Sequence, residues 1–223
     1  MSKREEMKAL READRRRQNT ITIIIIAVGA LLITGALIWP SIKRQVVKPN
    51  PRPMADYNSM GNKNAKVKVE EFSDFQCPYC REFALKAEPE FVKQYVETGK
   101  VFVTFTPFSF IGEESVKAAE AAYCAADQGK FWEYHDLLFE NQNGENKGNF
   151  TRSLFLQFAK DLSLDTAAFQ TCIDNGTNAA KVKDNMTYGQ NKGVNGTPYF
   201  MVNGTLVDSS KLIETVEKAL KEQ

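Results

Sequence analysis

Three regimes of apolar and polar residues follow one another along the chain. Residues 1–20 are polar and basic, Ile21 to Trp39 carry no charge, and after a proline-studded stretch over 40–55 regular periodicity sets in. In that last regime Val67–Phe72 and Val101–Thr106 are rich in β-prone residues and predict strands, the second stopped by Pro107. Thr197–Val202 predicts a third, and Asn203-Gly204 a hairpin turn into a fourth over 205–207. Helical periodicity covers 82–98, 113–127, 130–141, 151–162, 165–174 and 178–191, with Asn175-Gly176 as a stop. The 130–141 segment carries an aromatic stripe of Phe131, Trp132, Tyr134 and Phe139. Ser209 and Ser210 are candidate N-caps for a closing amphipathic helix through Leu220. The order is β-α-β, a helical block, then α-β-β-α.

The uncharged run from Ile21 to Trp39 would span roughly 28 Å as a helix, near the hydrocarbon thickness of a bilayer. It is longer than the apolar part of a cleaved signal peptide. It also exits through Ile38-Trp39-Pro40-Ser41, a poor cleavage site, while the best small-residue site, Thr34-Gly35-Ala36, lies inside it. The run is apolar all round, which a surface-packed core helix is not. It is expected to be an uncleaved transmembrane anchor. Seven Lys or Arg precede it and four (Lys43, Arg44, Lys48, Arg52) follow closely, which places the N-terminus in the cytoplasm and the rest of the chain outside the cell membrane, in single-pass topology. The expected layout is a basic tail over 1–20, the anchor over 21–39, a Pro-rich tether over 40–55 and one folded domain over 56–223.

Composition adds one point. The net charge of +1 hides a division: residues 1–55 sum to +7 and residues 56–223 to −6. The basic excess flanks the anchor, where it can meet anionic lipid. The domain is acidic, and no nucleic-acid partner is expected. With one histidine, His135, a multi-histidine metal site is out of reach.

The candidate chemistry sits in Cys77-Pro78-Tyr79-Cys80, between the first strand and the first helix. Cysteines three apart at a helix start can bridge with little strain. The first meets the helix's free N–H groups and positive dipole end, which stabilise a thiolate. A lowered thiol pKa makes Cys77 an attacking thiolate in reduction and a good leaving group in oxidation. Cys80, one turn in and more buried, is the natural resolving thiol. Pro78 suits a position where its missing N–H costs nothing. A zinc reading would need two further ligands at fitting spacing, and Cys124 and Cys172 stand 48 residues apart. No metal and no cofactor are expected. Farther along, Thr197-Pro198 precedes a strand; it fits either a simple edge-strand proline or a cis bond that turns the backbone toward a neighbouring site.

A strand, a Cys-Pro-Tyr-Cys at a helix start, a helical insertion and a late Gly-Thr-Pro together resemble the thioredoxin superfamily. Glu71–Cys80 and Gly129–Leu138 resemble the DsbA-like thiol oxidases in particular. The resemblance implies a thioredoxin-like α/β fold with an inserted helical domain at about 112–190, preceded by one transmembrane helix. It implies Cys77 as nucleophile, Cys80 as resolving cysteine, a cis Pro198 and Thr197 beside the redox pair, with Pro78 and Tyr79 as neighbours. It also places an acid six residues before the first cysteine. Here that is Glu71, a carboxylate able to handle the resolving thiol's proton, with Glu70 as its competitor. The inner pair Pro-Tyr is also that of glutaredoxins, which are shorter and lack both insertion and anchor.

Cys124 and Cys172 remain. In an oxidising compartment two leftover cysteines read as a structural bridge, otherwise as buried free thiols. Closing a span of 48 residues would stabilise by about 4 kcal/mol on the chain-entropy account. His135 reads as a packing or surface residue. The expected activity is a monomeric, membrane-tethered thiol-disulfide oxidoreductase that introduces disulfides into reduced, unfolded exported proteins and is reoxidised by a quinone-linked membrane partner. The competing reading is a tethered reductase or isomerase of the same fold, for example in cytochrome maturation.

Overall fold

The computed structural model describes residues 15–30, 50 and 52–222. The chain divides into two units, Met1–Val47 and Lys48–Gln223. In the first, residues 15–30 form a helix on which Ile23, Ile25 and Ile26 are exposed. The expected anchor over 21–39 lies partly on this helix; its remainder, 31–39, lies outside the described residues, as do tail residues 1–14. Among the described residues no helix is long and apolar enough to cross a membrane.

The second unit is built on β1 (Ser59–Gly61), β2 (Val67–Ser73), helix α1 (residues 78–96) and β3 (Val101–Pro107). Five helices follow: α2 (Glu113–Ala126), α3 (Phe131–Glu140), α4 (Arg152–Asp161), α5 (Thr166–Asp174) and α6 (Ala179–Asn191). The chain then closes through β4 (Tyr199–Val202), β5 (Thr205–Asp208) and α7 (Leu212–Lys221). The five strands are ordered β1-β3-β2-β4-β5. Strands β2 and β3 are parallel, and their crossover is α1; the other pairings are antiparallel.

Alternation along β2 sends Val67, Val69, Glu71 and Ser73 to one face, where all four are buried. That face carries the main core: Val101, Val103, Phe105, Phe200 and Val202 from the sheet, with Phe91, Tyr95 and Val96 of α1, Leu212 and Val216 of α7, and the aromatic residues of α3. The other face holds a small cluster of Phe72, Phe108 and Val194. There α6 comes so close that a Cβ on Gly189 would lie 2.6 Å from the Phe108 ring.

Five helices fill the insertion, as the periodicity predicts. Thr151 caps α4 by accepting from the N–H of Leu154 at 3.3 Å, and Asp165 caps α5 by accepting from those of Ala167 and Ala168 at 3.0 Å each. A disulfide joins Cys124 of α2 to Cys172 of α5, with Cα atoms 5.9 Å apart. At the hairpin Asn203 and Gly204 both take positive φ, 47° and 90°.

Four details differ from expectation. The first helix starts at Pro78, as the thiol pair implies and four residues before its periodicity sets in, but it alternates α segments with π segments at Phe83–Ala87 and Val92–Val96. Pro89 lies inside it and cannot donate a backbone bond, so the turn before it widens. The three-residue β1 is too short to carry a period and escapes the pattern. Ser210 does not cap α7: its N–H and hydroxyl both turn back to Asp208 Oδ1, at 2.8 and 2.6 Å, and the cap position is Lys211. Finally, the end of the expected tether belongs to the folded unit. Pro53 O accepts from the N–H of Gly61 at 2.8 Å, and the Arg52 side chain is only 5% exposed.

Candidate active site

Cys77 is the N-cap residue of α1, with φ −71° and ψ 122°, and Pro78 follows at the first helical position. Capping holds the Cys77 backbone on both sides: its N–H donates to Asp74 O at 3.0 Å and its carbonyl accepts from Arg81 N–H at 3.1 Å. The thiol faces the loop before β4, where Thr197-Pro198 is cis and Thr197 O accepts from Cys77 Sγ at 3.4 Å. Tyr79 points outward, 72% exposed, while Cys80 is fully buried. Both cysteines are free thiols.

The two thiols differ in proton affinity. Cys77 is lowered to about 6, chiefly because Cys80 donates a hydrogen bond to its sulfur; burial opposes this, while Thr197 and the free N–H groups of Cys80 and Tyr79 add to it. Cys80 is pushed well above the ordinary thiol range by burial, by its bond to Cys77 and by the Cys77 charge, with Ser73 and Thr197 pulling the other way. A thiolate at Cys77 beside a protonated Cys80 is therefore the favoured reduced state near neutral pH.

Beneath them, β2 settles which of two adjacent carboxylates faces the core. Glu71 is 2% exposed and sits in register between Phe105 and Phe200. Burial pushes it well above the usual carboxylate range, the charge of Glu88 adds to this, and Ser73 and Arg52 pull back. Its Oε1 has no hydrogen-bond partner, nor has the hydroxyl of Ser73, which interacts with both Glu71 and Cys80. Glu70 faces the opposite side and accepts from Thr106 and Tyr188 at 2.6 and 2.9 Å.

Several residues of the site carried no sequence signal of their own. Asp74 takes the Gln76 N–H at 2.8 Å, the Ser115 hydroxyl at 2.6 Å and the Ile111 N–H at 3.1 Å. Gln142, in the loop after α3, donates to Phe75 O at 2.8 Å and Cys77 O at 3.0 Å. Asn146 N–H reaches Gln76 Oε1 at 2.6 Å. The insertion thus clasps the loop that carries the thiols. Asp74 lies inside the Glu71–Cys80 stretch, so it was within reach of the motif; Gln142 stands far from it in a polar loop that no period marks.

Glu88, His135 and Asp136 place one ligand atom each within 4.8 Å of one another. Arg52 lies among them, 2.8 Å from Glu88 and 2.6 Å from Asp136, so a side-chain cation already serves the carboxylates. His135 is fully buried and packs edge-on to Phe105 and Phe139, with Nδ1 2.9 Å from Asp136 Oδ1. The packing reading of that residue holds, with an ionic neighbour added.

Comparison with known proteins places this geometry. The thioredoxin family profile matches residues 55–222. A probable disulfide bond formation protein D of Bacillus anthracis is 30% identical over 206 residues, covering 89% of this chain and 94% of that protein. The disulfide bond formation protein D of Bacillus subtilis is 30% identical over 189 residues, covering 82% of this chain and 80% of that one. The crystal structure of oxidised BdbD from Bacillus subtilis superposes with a TM-score of 0.69 at 28% identity, over 78% of this chain and 97% of that one. The profile match spans Cys77, Cys80, Pro198 and the inserted helices, and the chain belongs to the thioredoxin family, among its DsbA-like protein-disulfide oxidoreductases.

Proposed function

We propose that the protein is a membrane-tethered thiol oxidase, with its N-terminus in the cytoplasm and its catalytic unit outside, that introduces disulfides into reduced, unfolded exported proteins. The observation that carries the reading is the opposition between the two thiols, Cys77 lowered to about 6 and Cys80 raised. A stable Cys77 thiolate makes the reduced form the preferred product, so the oxidised form passes its disulfide on. The relatives named disulfide bond formation protein D support the direction of transfer. The uncharged run and its flanking charges support the anchor. The protein acts as a monomer.

The cycle starts from a Cys77–Cys80 disulfide. A substrate thiolate attacks Cys77 Sγ, forming a mixed disulfide and breaking the bond to Cys80, which leaves with the electron pair. Cys80 takes a proton from Glu71, the buried carboxyl on the core face of β2. A second substrate thiolate attacks the substrate sulfur of the mixed disulfide and expels Cys77 as a thiolate. The substrate has lost two electrons and gained one disulfide; the dithiol carries the electrons to a quinone-linked membrane partner. Backbone groups around Thr197 align the extended substrate as an added strand.

The full-length oxidised protein, mixed with a reduced unfolded protein, is expected to transfer one disulfide per Cys77–Cys80 pair, and Cys77→Ser to abolish transfer. Transfer unaffected by Cys77→Ser would overturn the reading. A reduction potential near about −120 mV supports an oxidase, whereas one near about −270 mV would make the protein a reductase.

A further inference from the structure

The buried ion pairs of Arg52 with Glu88 and Asp136 take no part in this cycle. Arg52 comes from the segment before β1. Its guanidinium lies 2.8 Å from Glu88 Oε1, 2.6 Å from Asp136 Oδ1 and 4.7 Å from the centre of the Trp132 ring. The Asn50 N–H adds a bond to Asp136 Oδ2 at 3.2 Å. Glu71, Glu88 and Asp136 are 2%, 1% and 5% exposed. Glu88 and Asp136 thus share one permanent cation, and Glu71 feels the charges of both Glu88 and Arg52. Buried charges persist only when paired, so with Glu88 and Asp136 on Arg52, Glu71 is the group left to hold a proton. Glu88 presses from α1, Arg52 from the N-terminal edge, and Asp136 with His135 from α3; Ser73 lies on Glu71's own strand.

We propose that Arg52 is a positioning residue of the thiol chemistry: its charge offsets the carboxylates beneath the site and keeps Glu71 able to exchange a proton with Cys80. The proposal rests on the proton role given to Glu71 above. Arg52 draws Glu71 toward the ionised form and Glu88 toward the protonated form, so the two neighbours act with opposite sign. Without Arg52 the Glu71 carboxyl would bind its proton more tightly, and deprotonation of Cys80 on reoxidation would be slower.

The test uses the full-length protein labelled with ¹³C at glutamate side chains, Glu71 being assigned by its loss in Glu71→Gln. Two readouts are taken against pH: the Glu71 carboxyl shift, and the rate at which the reduced protein attacks a small disulfide and resolves the adduct. Arg52→Met is expected to raise both midpoints by about one pH unit, with about tenfold slower resolution on the acidic side. Glu88→Gln is expected to lower both, and Arg52→Lys to restore most of the loss. A purely structural role predicts equal melting losses with unmoved midpoints, which would overturn the proposal. So would shifts of the same sign from Arg52→Met and Glu88→Gln. Should Arg52→Met fail to fold, Glu88→Gln decides alone: an unmoved midpoint overturns the proposal. A carboxyl midpoint that moves while the rate profile does not also overturns it, yet leaves the oxidase reading standing, because that reading falls only with loss of Cys77-dependent transfer.

Discussion

The chain holds two cysteine pairs on neighbouring elements, and they do opposite things. Cys77 and Cys80 are three residues apart at the head of α1 and remain free thiols; Cys124 and Cys172 are 48 residues apart on two helices and are bonded. Sulfur chemistry is the same in both, so the difference lies in what surrounds it. At the first pair, uncommitted N–H groups and a neighbouring thiol stabilise a thiolate. At the second, Asp127 lies 4.0 Å from Cys172 Sγ, where its carboxylate repels an approaching thiolate. Asn178 Nδ2 lies 3.7 and 3.5 Å from the two sulfurs and bonds Asp127 at 3.1 Å. At the helix start the donors and the neighbouring thiol favour a thiolate; on the helix flank an amide donor meets a sulfur pair already bonded, beside an acid.

That contrast can be broken most strongly at the bonded pair. Replacing Cys124 and Cys172 together with Ala is expected to cost about 3–4 kcal/mol in urea unfolding while transfer per folded molecule persists. Loss of transfer with intact fold would mean that the second pair takes part in the cycle.

A smaller effect sharpens the first pair. In the reduced protein Cys77 has a folded pKa of about 6 against an ordinary 9.0, so the fold favours its thiolate. This contribution is complete above about 9 and is lost as pH falls through about 6; the raised Cys80 acts against it only at higher pH. Unfolding curves between pH 5 and 9 should show the reduced form gaining on the oxidised form as pH rises, by on the order of 1–2 kcal/mol after solvent screening. Parallel curves for the two redox forms would contradict the thiolate assignment.

The smallest effect concerns the clasp. Gln142→Ala removes two bonds to the carbonyls of Phe75 and Cys77. It should lower stability by about 1–2 kcal/mol and slow transfer a few-fold, with the Cys124–Cys172 disulfide unaffected. Stopped-flow transfer beside thermal melting separates the two.

How much of this was legible depends on whether a residue acts through its neighbours in sequence or in space. Cys77 and Cys80 announce themselves because three-residue spacing and a following proline are local facts. The strands and the five inserted helices follow from apolar periods several residues long. Glu71 was visible only as one of two adjacent glutamates; the pleat chose between them, since Glu71 shares the face of Val67 and Val69. Arg52 was hidden for a different reason. It stands among prolines and basic residues that fit a solvated tether, and its burial depends on Glu88 and Asp136, more than thirty residues away. Gln142 likewise acts on carbonyls 67 and 65 residues back. β1 is held by pairing with β3 rather than by any pattern of its own.

The placement of Arg52 over Trp132 has an optical consequence. The chain has two tryptophans, Trp39 in the expected anchor and Trp132 in the folded unit. Trp132 is 2% exposed, donates its Nε1–H to Ser59 O at 3.1 Å and lies under the guanidinium at 4.7 Å. With Trp39 replaced by Phe, the emission of the remaining indole reports whether the segment that carries Arg52 is seated. Departure of that segment would wet the ring and move its emission to longer wavelength. The protein thus has a built-in fluorophore where the segment before β1 meets α3.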